Sequence, residues 1–512
     1  MIRRNLFFLF IFLFKFADSD YVDIETVMAQ GKRFAISGIS QLGNSVDGIG
    51  DFNGDGYDDV IVSTYIDTDD IIGVAYVVYG SKNPRSEIKL KSGLHPSQGF
   101  AIHGSKPHDQ MGYFASGIGD INGDGLADIM VGARMANNGT GAAYVIYGSR
   151  TPLSTMIPQE KLDPSQGFAI LGSLPHEEMG VSGSRAGDIN GDGIDDFMVG
   201  TNRYSYTDSK VYVIFGSKKS FSTMIPSQNF QPSQGFIISG AGQSQEQMGS
   251  GLSKAGDING DGIDDIIVGA VNTNQDSGAA YVIYGSREPF KNMTPSLGLT
   301  RSQGFAIFSY RYYERLGETV SGAGDVNGDG IDDVIVGAPS LDNRKGAAYV
   351  IYGSKNGSDA ITSNKNLDAS RGFAMYGDIE STELGFSVSG IGDINQDGID
   401  DVVLVAASIH EGLTEAYIIY GKKNHTSFVV PVTGLNSSQG IVFHGKDFGK
   451  GKNFFVLKSA NAGDVNGDGI DDALLGCPGA QTAYIIYGWN SKLDYFGEVY
   501  SNDFFLLRNL RS

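Results

Sequence analysis

The sequence contains one cysteine, Cys477, and only 14 prolines among 512 residues. A single cysteine excludes any intrachain disulfide, so the fold cannot depend on the cross-links that hold many small secreted domains together. Basic residues are also few, because 38 Lys and Arg stand against 59 Asp and Glu and give a formal net charge of −21. Nucleic acids and anionic membranes are themselves polyanions, so this charge argues against both as partners.

Long apolar runs are equally scarce. The run at residues 6–14 is nine residues long, too short for a bilayer core of about 30 Å, which takes about 20 residues. Arg3 and Arg4 precede it, and Ala17 and Ser19 offer a cleavage site, as in a secretory signal peptide. We therefore expect residues 1–19 to be a signal peptide and the protein to be secreted or at the cell surface. No later stretch has 18 consecutive apolar residues, so we expect no direct membrane insertion of the mature chain.

Helical periodicity is missing as well, whereas repetition is abundant. The string D-x-N-x-D-G-x-x-D occurs seven times, with offsets of 69, 68, 69, 68, 68 and 71 residues. A short stretch precedes each copy, as at 320–325. Apolar, β-branched runs follow it, as at 333–338 and 347–353, and then comes a QGF-like segment, as at 98–104. Such runs are strand signals, so each unit predicts four short strands, the content of one propeller blade.

The two ends of the repeat array complement each other. Residues 31–38 match the fourth strand of a unit but precede the first loop, while the last unit stops at 484–488 without a fourth strand. Placing the N-terminal strand on the last blade completes it and removes an exposed sheet edge. We therefore predict an all-β fold, a seven-bladed β-propeller of four-stranded blades over residues 31–488, closed by the N-terminal strand. Residues 489–512 form a C-terminal tail, and an open solenoid with capped ends is the alternative.

The unit resembles the FG-GAP repeat, the blade of the integrin α-subunit N-terminal propeller. The resemblance rests on a glycine before the first strand, as in Met111-Gly112, on the acidic loop, and on a GAP-like triplet that is complete in Gly337-Ala338-Pro339. It covers residues 31–488 and implies the propeller fold. It is less specific for role, because the family includes adhesion receptors, lectin-like binders and appended modules of enzymes.

The seven loops have the composition of calcium sites. Positions one, three and five place short oxygen side chains inside a tight turn, the glycine at six permits the bend, the carbonyl at seven points inward, and the Asp at nine closes the cage. Ca²⁺ takes six to eight such oxygens, and the first half of this spacing is that of an EF-hand loop, although strands flank it here instead of helices. The alternative is an ordinary hairpin turn rich in Asp and Asn. Up to seven Ca²⁺ would bring the formal charge from −21 to −7.

The predicted ligands are the side chains at positions one, three, five and nine and the carbonyl at position seven of each loop. They are Asp51, Asn53, Asp55, Tyr57, Asp59; Asp120, Asn122, Asp124, Leu126, Asp128; Asp188, Asn190, Asp192, Ile194, Asp196; Asp257, Asn259, Asp261, Ile263, Asp265; Asp325, Asn327, Asp329, Ile331, Asp333; Asp393, Asn395, Asp397, Ile399, Asp401; and Asp464, Asn466, Asp468, Ile470, Asp472. The additional Asp at position eight, which is Ala127 in the second loop, is expected to face solvent or neighbouring strands.

No motif points to catalysis, and we expect that the protein is not an enzyme. The seven histidines are scattered over different units, and neither HExxH, GxSxG nor a P-loop occurs. Cys477 replaces the alanine of a GAP-like triplet and is expected to be an inert core thiol. Five N-glycosylation sequons, at Asn138, Asn292, Asn356, Asn424 and Asn436, are permissive for a glycoprotein.

Recognition is expected on the face opposite the acidic loops, where the units stop resembling one another. Two segments there are rich in Tyr and Arg, the residues that anchor interfaces, and they predict a locally basic ligand-binding surface; the alternative is that these aromatics pack on neighbouring loops. The candidate residues are Arg203, Tyr204, Tyr206, Tyr310, Arg311, Tyr312, Tyr313 and Arg315.

The resemblance to integrins implies cell adhesion, with an extracellular protein ligand or a receptor subunit as partner. Two other functions stay open: a secreted, lectin-like propeller that binds a glycan, and a non-catalytic accessory module of an enzyme such as a phospholipase or a lyase.

Overall fold

The computed structural model describes residues 21–23, 33–65, 72–82, 87–159, 162–201, 209–241, 246–309, 311–363, 367–407, 414–423, 428–429, 435–444 and 458–490. The predicted signal peptide and residues 491–512 of the predicted tail lie outside these ranges. The described residues form seven antiparallel sheets of four strands each, which confirms the predicted seven-bladed propeller.

The strands follow the repeat. Blade 1 consists of Ser45–Gly50, Asp59–Thr64, Val74–Val78 and Gly99–His103. Blade 2 consists of Met111–Gly119, Asp128–Ala133, Ala142–Ile146 and Gly167–Leu171. Blade 3 consists of Ser182–Gly187, Asp196–Gly200, Lys210–Ile214 and Gly235–Ser239. Blade 4 consists of Met248–Gly256, Asp265–Ala270, Ala279–Ile283 and Gly304–Ser309.

Blade 5 consists of Val320–Gly324, Asp333–Ala338, Ala347–Ile351 and Gly372–Tyr376. Blade 6 consists of Leu384–Gly392, Asp401–Ala407, Thr414–Ile419 and Gly440–His444. Blade 7 consists of Lys458–Gly463, Asp472–Cys477, Thr482–Ile486 and the N-terminal strand Arg33–Ser37.

Helical structure in the described residues is limited to single turns in the connections. These are Ala136–Gly139, Pro226–Asn229, Thr273–Asp276 and Leu341–Arg344, with 3₁₀ turns at Leu90–Ser92, Pro295–Leu297 and Pro478–Ala480. No helix in these ranges is long and apolar enough to cross a membrane.

The ring closes as the sequence predicted. Arg33–Ser37 pairs antiparallel with Thr482–Ile486, from Arg33 opposite Ile486 to Ser37 opposite Thr482. The first strands of neighbouring blades contact each other around the whole circle, including blade 7 against blade 1. Each first strand therefore lines the axis, and each fourth strand lies at the rim.

The rim carries a further pairing that the repeat did not reveal. The connection between the third and fourth strands of one blade pairs parallel with the fourth strand of the blade before it, as Ile361–Ser363 does with blade 4 and Glu87–Lys89 with blade 7. Tyr21–Asp23 holds the same place on blade 6, and Phe428–Val429 on blade 5. Blades 1, 2 and 3 receive single parallel bridges from Met156, Met224 and Met293. The outer edge of each sheet is thus paired, which protects it from association with other chains.

The core lies between the blades. Each apolar cluster combines residues of two neighbouring sheets, as where Ile102 of blade 1 packs with Ile129 of blade 2. Tyrosines of the third strands, such as Tyr281 and Tyr349, are fully buried in these clusters. Cys477 is buried too, and burial raises the pKa of its thiol, which agrees with the expected inert core residue.

The closing strand supports a first prediction. Ile36 is fully buried against blades 1 and 7, so Ile36→Ala should lower the free energy of unfolding by about 2–5 kcal/mol through lost burial and a residual cavity. Chemical denaturation measures this change. Ile379→Ala is the matched control, because Ile379 is 50% exposed and its truncation should cost no more than about 0.5 kcal/mol. Equal effects of the two substitutions would contradict the described closure.

Candidate functional site

Each acidic loop joins the first and second strands of its blade and is organised around the Asp at position one. In the first loop, Asp51 Oδ1 accepts the N–H groups of Gly54 and Asp55 at 2.7 and 3.0 Å, and Oδ2 accepts that of Gly56 at 2.9 Å. The corresponding bonds from positions five and six recur in the loops that begin at Asp120, Asp188, Asp257, Asp325, Asp393 and Asp464. The loop therefore wraps around the carboxylate at position one, while the side chain at position five is exposed in every loop.

The Asp at position nine fastens the loop to the sheet. Asp59 is fully buried; its Oδ2 accepts the N–H of Phe52 at 3.1 Å, and its Oδ1 accepts that of Gly80, after the third strand, at 2.8 Å. The bond to the glycine N–H recurs in all seven blades. Burial raises the pKa of this carboxyl to about 8 in Asp59, Asp128, Asp196, Asp265, Asp333 and Asp472, and the carboxylates at positions five and one add to the shift.

The Asn at position three provides a test of the calcium hypothesis. The Oδ1 atoms of Asn190 and Asn395 are buried and have no hydrogen-bond partner, while their Nδ2 groups face the carboxyls of Asp196 and Asp401. A buried, unpartnered carbonyl oxygen costs free energy unless a donor or a cation satisfies it. The donor set of the loops is oxygen only, which suits Ca²⁺.

The carboxylates of the acidic loops accept hydrogen bonds from the backbone. Across the described ranges, no three His, Cys, Asp or Glu side chains come together as a metal site. The carboxylates at positions one and nine accept backbone N–H groups, and Asp55 Oδ1 at position five accepts the N–H of Tyr57 at 3.1 Å. The complete ligand set, including the carbonyl at position seven, therefore stays a prediction.

Contacts between each loop and the next blade are a feature that the sequence did not reveal. A glycine follows the third strand of each blade. The residue after this glycine donates its N–H to the carbonyl at position two of the acidic loop in the preceding blade, as Ser149 does to Phe52 at 2.9 Å. The same bond occurs at all seven junctions, with distances of 2.8–3.0 Å. The acidic loops thus contribute to the contact between blades as well as to their own hairpins.

The Asp at position eight also acts across the junction. Asp195 Oδ2 of blade 3 accepts the N–H of Asp120, position one of the blade 2 loop, at 2.9 Å. Of the two expected environments, solvent and neighbouring strands, the neighbouring blade is the one found. Position eight thus forms a contact to the loop of the preceding blade.

The predicted ligand face is described in part. Arg203, Tyr204, Tyr206 and Tyr310 lie outside the described residues. Tyr312 and Tyr313, which precede the first strand of blade 5, are 65% and 69% exposed. Arg311 and Arg315 face Glu314 at 3.9 Å and Glu318 at 2.9 Å. Each of these arginines therefore has a carboxylate neighbour, and the buried Glu314 also accepts a hydrogen bond from Ser309. The ligand-binding role of this surface stays a prediction.

Exposed large apolar side chains are concentrated on this same face. In the described residues they are Ile72, Leu174, Tyr312, Tyr313 and Ile379, all in connections that lead from second to third strands or from one blade to the next. Leu297 lies on the face of the acidic loops. The other five belong to four separate connections, so only Tyr312 and Tyr313 are neighbours in the chain.

The axis of the ring holds a cavity of about 1090 Å³ lined by the first strands. Tyr65 and Tyr113 lie at its wall with ring centroids 4.8 Å apart, and the guanidinium of Arg134 lies 4.0 Å from the centroid of the Tyr113 ring. Asp47, Arg185, Lys254 and Lys458 also line it, so the cavity carries charges of both signs.

Comparisons with known proteins agree with this architecture. The family model for the FG-GAP repeat matches residues 112–146, 248–283 and 316–351, which lie in blades 2, 4 and 5. The chain is 31% identical over 246 residues to integrin alpha pat-2 of Caenorhabditis elegans, which covers 45% of this chain and 18% of that protein. It is 27% identical over 232 residues to integrin alpha-4 of Xenopus laevis, covering 40% of this chain and 21% of that one.

A third relative belongs to a different kind of protein. The chain is 28% identical over 233 residues to the human phosphatidylinositol-glycan-specific phospholipase D, which covers 43% of this chain and 25% of that protein. The matched part is thus about a fifth to a quarter of the length of these relatives. Together with the fold, the matches show FG-GAP repeats in an integrin-α-like propeller.

The fifth loop supports a prediction about position nine. Asp333→Ala should lower the free energy of unfolding of calcium-free protein by about 2–5 kcal/mol, because the buried N–H of Gly353 loses its acceptor and that of Val326 keeps only the carbonyl of Gly324. Asp329→Ala is the matched control in the same loop, since position five is exposed and a surface substitution usually costs no more than about 0.5 kcal/mol. Urea denaturation in chelator measures both, and an Asp329→Ala effect as large as that of Asp333→Ala would contradict this division of roles.

Proposed function

We propose that this integrin-α-like propeller is an extracellular, calcium-stabilised module that recognises a protein partner, either a ligand in cell adhesion or a receptor subunit. The single observation that carries the calcium part is the buried Oδ1 of Asn190 and of Asn395, which lacks a hydrogen-bond partner inside an all-oxygen loop. The signal-peptide pattern of residues 1–19 supports an extracellular location.

Calcium would be held by the side chains at positions one, three, five and nine and the carbonyl at position seven. Its contribution would be charge and rigidity, since a divalent cation offsets the repulsion among three carboxylates of one loop. The Asp at position one would bind calcium with the carboxylate that also accepts backbone N–H groups, as the Asp51 carboxylate accepts those of Gly54 and Gly56. The role of the metal is structural and requires no catalytic group.

Protein recognition is supported by the surface opposite the acidic loops. Two exposed tyrosines and three further exposed apolar side chains lie there, and tyrosine is enriched among the residues that carry binding energy. The integrin relatives support a receptor or adhesion role.

A second candidate is a non-catalytic accessory module, which the similarity to the phospholipase D supports. A glycan-binding propeller is the third, and Tyr65 and Tyr113 at the axial cavity are the aromatic surface that would suit it. A glycan array, probed with and without chelator, separates this candidate from the protein binder.

Calcium titration of chelated protein tests the metal proposal. Each occupied site should add about 1.4–2.7 kcal/mol of stability when free calcium is ten to a hundred times its dissociation constant, because only the folded state binds. The melting temperature should therefore rise steeply with calcium, and isothermal titration should count several sites. One site or none, or no stabilisation at millimolar calcium, would refute the proposal.

Asp329→Ala serves as the variant for this titration. It should remove one site from the count and leave the others, because six further loops keep their ligands. Ser354→Ala is a suitable control, since Ser354 follows the third strand of the same blade and contacts the fourth loop through its backbone N–H. An unchanged site count for Asp329→Ala would exclude the fifth loop as a calcium site.

The recognition surface has its own test. Tyr312→Ala combined with Tyr313→Ala should weaken partner binding by about 2 kcal/mol or more, the scale of an interface anchor, while calcium content and melting temperature stay unchanged. Leu297→Ala is the matched control, because Leu297 is 78% exposed on the other face. Pull-down from the extracellular medium, with wild type and both variants side by side, is the measurement. Equal recovery of every partner by all three proteins would place recognition elsewhere.

A further inference from the structure

Six of the seven junctions between blades share one carboxylate contact. The Asp at position eight of one blade accepts the N–H of the position-one Asp in the preceding blade, at distances of 2.8–3.0 Å where the bond is resolved. The accepting residues are Asp58, Asp195, Asp264, Asp332, Asp400 and Asp471. We call this contact the loop clamp. The loop clamp is a hydrogen bond to the backbone of a predicted calcium ligand. The conformational order of each loop and the strength of the junction beside it are therefore connected.

The junction between blades 1 and 2 lacks the loop clamp. Position eight of blade 2 is Ala127, so the N–H of Asp51 has no carboxylate of the next blade to bind. The hydrogen bonds described between this loop and blade 2 join backbone atoms, Ala127 N to Asp51 O at 3.2 Å and Ser149 N to Phe52 O at 2.9 Å. Phe52 also packs against apolar side chains of blade 2. The backbone geometry is otherwise that of the other junctions: a Cβ added at Gly50 would lie 3.2 Å from Ala127 Cβ, as one at Gly119 would lie 2.8 Å from Asp195 Cβ.

The same junction carries an unusual carboxylate in the wall of the axial cavity. Asp47 stands four residues before its loop, where blades 2 to 6 have serine. Its Oδ2 accepts Ser116 Oγ at 2.6 Å and the N–H of Gly117 at 3.1 Å, both in blade 2. Where serine occupies this place, as in Ser253 and Ser321, the hydroxyl accepts only the glycine N–H of the next blade, at 3.2 and 3.4 Å. Hydrogen bonds to a carboxylate are shorter and about twice as strong as neutral ones.

Asp47 is also held from a third blade. Arg185 Nη2 lies 3.9 Å from Asp47 Oδ1 and donates to the carbonyl of Gly48 at 2.7 Å. The half-buried carboxylate of Asp47 thus accepts two hydrogen bonds and lies near one cation. These partners offset the free energy that desolvation of an isolated charge would cost. No other first strand in the described residues has a carboxylate at this place.

We infer that Asp47 takes the place of the missing loop clamp between blades 1 and 2. Its hydrogen bonds hold these two blades together at the wall of the axial cavity, whereas the other junctions have their carboxylate contact at the acidic loop. The consequence is a ring with two kinds of junction. The strength of six junctions depends on how well ordered their acidic loops are. The strength of the junction between blades 1 and 2 does not depend on its loop. This difference between the junctions rests on the calcium binding proposed above, whereas the role of Asp47 between blades 1 and 2 does not.

A double-mutant cycle tests the substitution of one clamp by the other. Asp47→Ser, which installs the residue of blades 2 to 6, should lower the melting temperature by about 1.5–3 °C, since a hydrogen bond to a charged group is lost. Ala127→Asp alone should change it by no more than about 1 °C, but in the Asp47→Ser background it should restore at least half of the loss, because coupled contacts are not additive. Asp47→Asn keeps the shape of the side chain and should show an intermediate loss.

The cycle has clear contradicting outcomes. A melting temperature for Asp47→Ser that does not differ measurably from that of wild type would overturn the inference. Strict additivity of Asp47→Ser and Ala127→Asp would also overturn it, because two clamps of one junction must be coupled. If Asp47→Ser fails to fold, the same cycle is run with Asp47→Asn. Ser253→Ala, which removes the serine of an ordinary junction, is the matched control and should cost less than Asp47→Ser.

Amide hydrogen exchange separates this inference from the calcium proposal. On removal of calcium from wild type, exchange at the position-one amides of loops 2 to 7 should accelerate by about tenfold or more, while exchange at Gly117, bonded to Asp47, should change by less than about twofold. Acceleration at Gly117 equal to that at the loops would overturn the independence of this junction. If no amide responds to calcium, the calcium proposal fails, and the double-mutant cycle still decides the role of Asp47.

Discussion

The buried Asp at position nine is the contact on which the rest of each blade depends. It begins the second strand, is fully buried in every blade, and accepts the N–H of the glycine that follows the third strand. One side chain thereby fixes the loop, the second strand and the end of the third. A buried carboxylate is costly unless its hydrogen bonds are complete, so the loop must adopt the conformation that supplies the donors. The acidic loop is therefore part of the core and not an appendage of it.

The same loops connect the blades. Their position-two carbonyl accepts an N–H from the next blade at every junction, and at six junctions position one also donates to that blade. A closed ring has no free end at which to relieve strain, so each junction constrains the other six. This explains why an exception at one junction, Ala127, occurs together with a second exception, Asp47, in the wall of the same junction.

The sequence predicted the features that the repeat pattern itself carries, including the closure of the ring. It did not predict the other contacts between units. Seven constant offsets predicted seven blades, and the unmatched strand at residues 31–38 predicted the closure observed at Arg33–Ser37. The parallel pairing of Ile361–Ser363 with the preceding blade was not predicted, because neither partner shows a pattern that refers to the other. The same holds for position eight, whose partner lies in another unit. The contacts of Arg311 and Arg315 with Glu314 and Glu318 were not predicted, because burial of Glu314 cannot be read from one loop.

The two faces of the ring differ in how much their residues vary from unit to unit, although the backbone conformation repeats on both. Between successive blades the chain repeats a turn with positive φ at two non-glycine residues, as at His108 and Gln110 and again at Tyr313 and Arg315. This conformation is uncommon outside glycine, so its recurrence marks a fixed scaffold. The side chains on it differ, whereas the loops at the other end keep the same residues at the same positions. The hydrogen bonds of the acidic loops thus lie at one end of the sheets, and the side chains that differ between units lie at the other end. A substitution in these turns therefore leaves the hydrogen bonds of the acidic loops in place.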